Sequence, residues 1–286
     1  MSDSEDADLS LDSIFTEQPR PPSPEPTTVV YTRESTAERA DQRGHGNDED
    51  LQWSTVDIRL VGSHPLWAHH LWNASRAFAS YLDENPQMCV GRAVLELGAG
   101  GGLPGIVAAK NGARRVVLTD YPDAPLLDNL RYNVNQNIPA HLQFKVHVEG
   151  YIWGQPTGPL LDISSTGSDP RGYDLIIMSD LIFNHSQHDA LLQTCEQIVS
   201  QYSSTISLPQ IIPIPEKPTD TPCVLVFFTH HRPHLAHRDM EFFEKARKRG
   251  WHCEEVLRRK FPPMFPDDPG EMEIRATVHG WRLTRC

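Results

Sequence analysis

The stretch AVLELGAGGGLPGIVAAKNGARRVVLTD, from Ala93 to Asp120, constrains the fold of this chain more than any other. An apolar run leads into five glycines within eight residues, then a helix-forming segment, then a second apolar run ending on an acid. A strand that feeds a helix and returns to a second strand is a βαβ unit. Such units build parallel sheets with helices on both faces. Ligands of these sheets sit beyond the carboxyl ends of the strands. Glycines there permit positive φ and close approach to the backbone, and the helix N-terminus supplies N–H donors. Asp120 lies twenty residues past Gly100, where a carboxylate can accept hydrogen bonds from ribose hydroxyls. A nucleotide-containing ligand is therefore expected.

The alternation continues along the chain. HPLWAHHLWNASRAFASYLDE (64–84) places Leu66, Leu71, Phe78 and Leu82 near helical spacing and reads as an amphipathic helix, or two short ones, with His69 and His70 as ordinary helix residues. Helices are expected at 104–112, 123–137, 187–202 and 237–250. Strands are expected at 93–98, 115–120, 143–151, 173–180, 223–231, 251–260 and 274–285. The runs YDLIIMSD and CVLVFFTHH are apolar throughout, as strands covered on both faces are. The expected fold is a Rossmann-like, mostly parallel seven-stranded sheet with an antiparallel terminal strand and helices on both faces. Residues 154–172 and 207–222 read as Pro/Gly/Ser-rich loops.

Charge separates the chain into two parts. Of a net charge of -12, residues 1–50 carry -9. That segment, rich in Ser, Asp, Glu and Pro, buries too little apolar surface to offset its ordering entropy. Residues 1–50 therefore read as a disordered acidic tail, with LSLDSIF (9–15) read as a passive part of it in preference to a docking element, and 51–286 as the folded domain. An acidic chain without a Lys/Arg-rich run is a poor nucleic-acid binder and suits a basic or cationic partner. Five cysteines without a CxxC pair argue for a reducing compartment. No apolar stretch is long enough to span a bilayer, and the polar N-terminus is not a signal peptide. Cytoplasmic localisation and a monomer are expected.

Two glycine registers compete. Gly100, Gly102 and Gly105 satisfy the dinucleotide pattern GxGxxG, which would make the protein an NAD(P)-dependent oxidoreductase. Glu96, Gly98, Gly100 and Gly102 satisfy the acid-x-Gly-x-Gly-x-Gly pattern of S-adenosylmethionine enzymes. Glu96 favours the second, because a carboxylate two residues before the first glycine would face a pyrophosphate unfavourably and would suit a ligand carrying an ammonium and a sulfonium.

Six motifs in order, LWNASRAFASYL, VLELGAGGGLPGI, LTDYPD, NLRYNVNQN, YIWG and MSDLIFNH, resemble the seven-β-strand methyltransferases of the lysine methyltransferase 21/22 group over roughly residues 55–286. The likeness is strongest to the fungal branch that acts on elongation factor 1-alpha. It implies S-adenosylmethionine as cofactor and a protein amine as acceptor: the N-terminal glycine and adjacent lysine of elongation factor 1-alpha. A small-molecule acceptor such as nicotinamide is the alternative.

Site residues carry over on matching positions. The resemblance implies that Trp72 closes over the methionine end of the cofactor, with Trp67 a rival. Gly98, Ala99 and Gly100 form the backbone cradle, Asp120 holds the ribose, Trp153 lies against adenine, and Ser179 contacts the cofactor through its backbone. Asp180 and Phe183 fit the group's acid-x-x-aromatic signature. Asp180 would orient the amine or take its proton, and Phe183 would line the acceptor channel. His230, His231, His234 and His237 follow the fifth strand; methyl transfer to an amine needs no metal, so they read as a polar substrate-side loop.

Overall fold

The computed structural model describes residues 24–33, 53–164, 172–199 and 221–285. The first described element corrects the sequence reading. Thr27–Thr32 (β1), assigned above to the tail, pairs antiparallel with Thr55–Leu60 (β2). Its β-branched residues suit a strand. Tyr31 is buried with its hydroxyl 3.1 Å from Ser80 Oγ. Residues 1–23 and 34–50 of the tail, including 9–15, lie outside the described residues, as does 200–220, which contains most of the second expected loop.

A second correction concerns 64–84. The helix runs only over Asn73–Glu84 (α1). The expected first half is irregular, because Trp67 sits at φ 62° and the His64 ring accepts the Leu66 N–H at 3.1 Å. Such local side-chain bonds compete with helix formation. His69 and His70 are thus loop residues.

The βαβ unit follows as read: Ala93–Leu97 (β3), Leu103–Lys110 (α2) and Arg115–Asp120 (β4). Next come Ala124–Asn137 (α3) and Val146–Gly150 (β5); the expected strand start at 143 is taken by a 3-10 turn over Ala140–Lys145. The first expected loop contains a short helix, Gly158–Ser164 (α4). Leu175–Ser179 (β6), His188–Ile198 (α5), Cys223–Thr229 (β7), Ala236–Lys248 (α6), Trp251–Lys260 (β8), Met272–Arg275 (α7) and Thr277–Arg285 (β9) complete the chain.

Seven strands form one sheet in the order β5-β4-β3-β6-β7-β9-β8, with β9 antiparallel to both neighbours. Strand order reverses between β3 and β6, so their carboxyl ends open a crevice at the switch point. One face carries Val94, Val116, Leu118 and Ile177 against α1, α2 and the β1–β2 hairpin. The other carries Leu95, Val117, Ile176 and Val226 against α5 and α6. This alternation is the strand period of two, and it fixes where Glu96 points.

Glu96 shares the Val94 face, and its Oε2 accepts the Gly105 N–H at 2.9 Å. Gly102, at the N-cap of α2, has no side chain to cap with, and the strand carboxyl takes that role from below. Glu96 is fully buried and does not line the cavity described below. Burial pushes its carboxyl up to about 8, with nearby Asp120 adding to the shift and the Gly105 N–H opposing it. The native state therefore keeps a proton that the unfolded chain releases from about pH 4.5, and this group's contribution to stability falls as pH rises from about 4.5 to 8. The slope is about 1.4 kcal/mol per pH unit. Glu96→Gln keeps the acceptor and has no proton to lose. Denaturant unfolding at pH 5 and pH 8 should show the variant gaining on the wild type at the higher pH; a constant difference would contradict the buried, protonated state.

Candidate functional site

A cavity of about 490 Å³ opens at the switch point. Its floor is the loop after β3. Ala99 N–H donates to Thr119 O at 2.9 Å, Gly100 N–H to Asp120 Oδ2 at 2.7 Å, and Gly102 N–H to Ala99 O at 2.7 Å. Gly98 is required for packing: it has φ 60°, and a Cβ there would lie 2.7 Å from Leu181 and 3.1 Å from Trp153. Gly100 is required for space. At φ 56° its missing Cβ would meet nothing within 4 Å, so the bare backbone borders the open cavity.

Asp120 ends β4 with its second oxygen accepting the Tyr121 N–H at 2.7 Å. Burial pushes its carboxyl above the usual range, against the pull of the Gly100 and Tyr121 N–H groups and of His64. Each carboxylate oxygen has more than one acceptor site, so both bonds leave capacity for ligand hydroxyls.

Asp180 follows β6 at φ 59°, an uncommon conformation that aspartate tolerates better than most residues. Its Oδ2 lies 2.9 Å from His231 Nε2, and the Thr229 N–H approaches Oδ1 at 3.4 Å. Burial pulls the His231 pKa down, but the charge and hydrogen bond of Asp180, with Asp239 and Asp268 behind it, raise it overall. The His231 ring also meets Trp72 edge-on at 4.9 Å. Beneath this pair, the Asp239 carboxylate bridges His185 and His230, each at 2.7 Å.

All nine residues singled out in the sequence border this cavity: Trp72, Gly98, Ala99, Gly100, Asp120, Trp153, Ser179, Asp180 and Phe183. Trp67, the rival of Trp72, borders it as well. Two contributors escaped the sequence reading. His70 arrives with the irregular 64–72 segment, which was read as helix. His231 was noticed only as one of four histidines; its bond to Asp180 spans 51 residues of sequence and has no local signature. Among the described residues no group of three or more His, Cys, Asp or Glu side chains is arranged to hold a metal ion.

The sequence model of the lysine methyltransferase family matches residues 56–211. The chain belongs to the lysine methyltransferase family. Among its relatives, the protein N-terminal and lysine N-methyltransferase EFM7 of Cryptococcus neoformans is 50% identical over 232 residues, covering 80% of this chain and 75% of the relative. The enzyme of that name in Schizosaccharomyces pombe is 42% identical over 266 residues, covering 93% and 91%. That of Neurospora crassa is 34% identical over 287 residues, covering 98% and 90%.

The protein is thus a methyltransferase, and its cofactor is S-adenosylmethionine. Family membership decides between the two glycine registers; Glu96, buried under α2, does not. The residues present fit the cofactor. The bare Gly100 backbone leaves room, Asp120 offers acceptors, and the Ser179 hydroxyl at the cavity wall is buried with no partner among the described residues.

Proposed function

We propose that this protein transfers methyl groups from S-adenosylmethionine to the N-terminal glycine and adjacent lysine of elongation factor 1-alpha. The observation that carries the reading is a buried carboxylate, Asp180, tied to His231 on the wall of a cavity whose rim is apolar and open. Leu66, Trp67 and Phe183 border that cavity and remain 53%, 49% and 47% exposed. Exposed apolar side chains at a mouth fit a polypeptide end better than a small molecule, which is usually enclosed. The relatives, protein N-terminal and lysine N-methyltransferases, support the same acceptor class.

The bound cofactor supplies an electrophilic methyl group on a positively charged sulfur. Gly98, Ala99, Gly100 and Asp120 hold it, with Trp72, Trp153 and Ser179 bordering the same space. Asp180 attracts the cationic amine, aligns it, and takes the proton that must leave before the nitrogen lone pair can attack. His231 keeps the carboxylate turned toward the cavity. Phe183 lines the channel for the aliphatic part of the acceptor. The protein works as a cytoplasmic monomer; among the described residues no helix is long and apolar enough to cross a membrane.

The test offers labelled cofactor to elongation factor 1-alpha and to nicotinamide, followed by mass spectrometry of the N-terminal peptide. Methylation of the terminal glycine and the next lysine is expected. Label in nicotinamide alone would overturn the assignment.

A further inference from the structure

Asn129, Asn133 and Asn137 recur one helical turn apart on α3 and face β2. Two of them pair with the strand as a neighbouring strand would. Asn137 accepts the Asp57 N–H at 2.9 Å and donates to Asp57 O at 2.8 Å. Asn133 accepts the Arg59 N–H at 2.9 Å and donates to Arg59 O at 2.8 Å. Asn129 joins the second pair, donating to Arg59 O at 2.8 Å and accepting from Arg59 Nε at 2.8 Å.

The matched pair differs in one bond. The second amide proton of Asn137 returns to its own helix, at Asn133 O, 2.8 Å away. That of Asn133 goes to Gly101 O at 3.0 Å, in the middle of the glycine loop. Gly101 also lies directly on β2: a Cβ there would be 2.5 Å from Ile58 Cγ2. The hairpin also touches α1: Arg33, just after β1, bonds Asp83 near the C-terminal end of that helix at 2.7 Å. β2 itself runs on into the 64–72 segment, which borders the cavity.

We propose that the β1–β2 hairpin is a working part of the cofactor site, and that Asn133 is a positioning residue that fixes the Gly101 peptide and so the N–H groups on either side of it. Gly100 N–H is held by Asp120 and Gly102 N–H by Ala99 O; Asn133 supplies the third pin, from outside the sheet. Without it the loop keeps its sequence but not a single shape.

The test compares Asn133→Leu with Asn137→Leu in the full chain, reading thermal stability and calorimetric affinity for S-adenosylhomocysteine. Both variants lose a similar side-chain pairing with β2, so both should lower Tm. Only Asn133→Leu strands the Gly101 carbonyl, and its dissociation constant should rise about tenfold or more while that of Asn137→Leu stays within about twofold. Should Asn133→Leu fail to fold, Asn133→Asp keeps the acceptor for Arg59 N–H, loses both donors, and should show the same selective weakening. Equal weakening in both positions, in step with lost stability, or unchanged affinity in the Asn133 variants, would overturn the proposal.

Discussion

Asp120→Ala is expected to remove measurable cofactor binding from a protein that still folds. The carboxylate has two tasks. It fixes the Gly100 N–H at 2.7 Å, and it presents acceptors to the cavity at the end of β4. A hydrogen bond to a charged group contributes about 1.5–3 kcal/mol, so losing two ligand bonds costs roughly 3–6 kcal/mol, or about a hundredfold to ten-thousandfold in affinity. Asp120→Asn keeps an acceptor and should fall between. Circular dichroism and Tm establish folding, and titration with S-adenosylhomocysteine measures the loss. An alanine variant that binds within a fewfold of wild type would show that Asp120 serves the loop and not the ligand.

Asp180→Ala should give the opposite pattern. Its carboxylate is bonded to His231 and Thr229, not to the glycine loop, so affinity for S-adenosylhomocysteine should change little. Turnover should fall by about a hundredfold or more, the usual range for removing a group that handles a proton in the transition state. A second readout needs no turnover. The raised pKa of His231 depends on Asp180, so a histidine NMR titration should show it falling in Asp180→Asn, as burial is left with less to oppose it. The sign follows. In the wild type the imidazolium persists above the ordinary histidine pKa, and the Asp180–His231 attraction weakens as pH rises through the raised value. Unchanged turnover in Asp180→Ala, or affinity lost as badly as in Asp120→Ala, would end the division of labour between the two acids.

The contrast between these acids also shows what the sequence could reveal. Asp120 sits in a βαβ unit whose parts are contiguous, so spacing alone placed it beside the glycines. The buried strands β6 and β7 were legible because continuous apolar runs leave few alternatives. Other features depend on contacts that have no local trace. Glu96 matched a ligand-binding pattern, yet strand pleating turns it under α2, where burial makes its ionisation costly. The 64–72 segment has helical spacing of apolar residues, but a left-handed Trp67 and the His64 side chain hold it open along the cavity. β1 lies in a polar, Pro-rich stretch whose composition hides a strand stabilised by Tyr31 and Arg33 against α1. For Glu96 and β1 tertiary partners outweigh the local propensity, and in 64–72 a local side-chain bond does.

Calorimetric titration of the purified wild-type chain with S-adenosylhomocysteine and, separately, with NAD tests the central claim most directly. The glycine corner and Asp120 should take up one equivalent of S-adenosylhomocysteine and give no heat with NAD at matched concentration. Saturable NAD binding with an indifferent response to S-adenosylhomocysteine would contradict it.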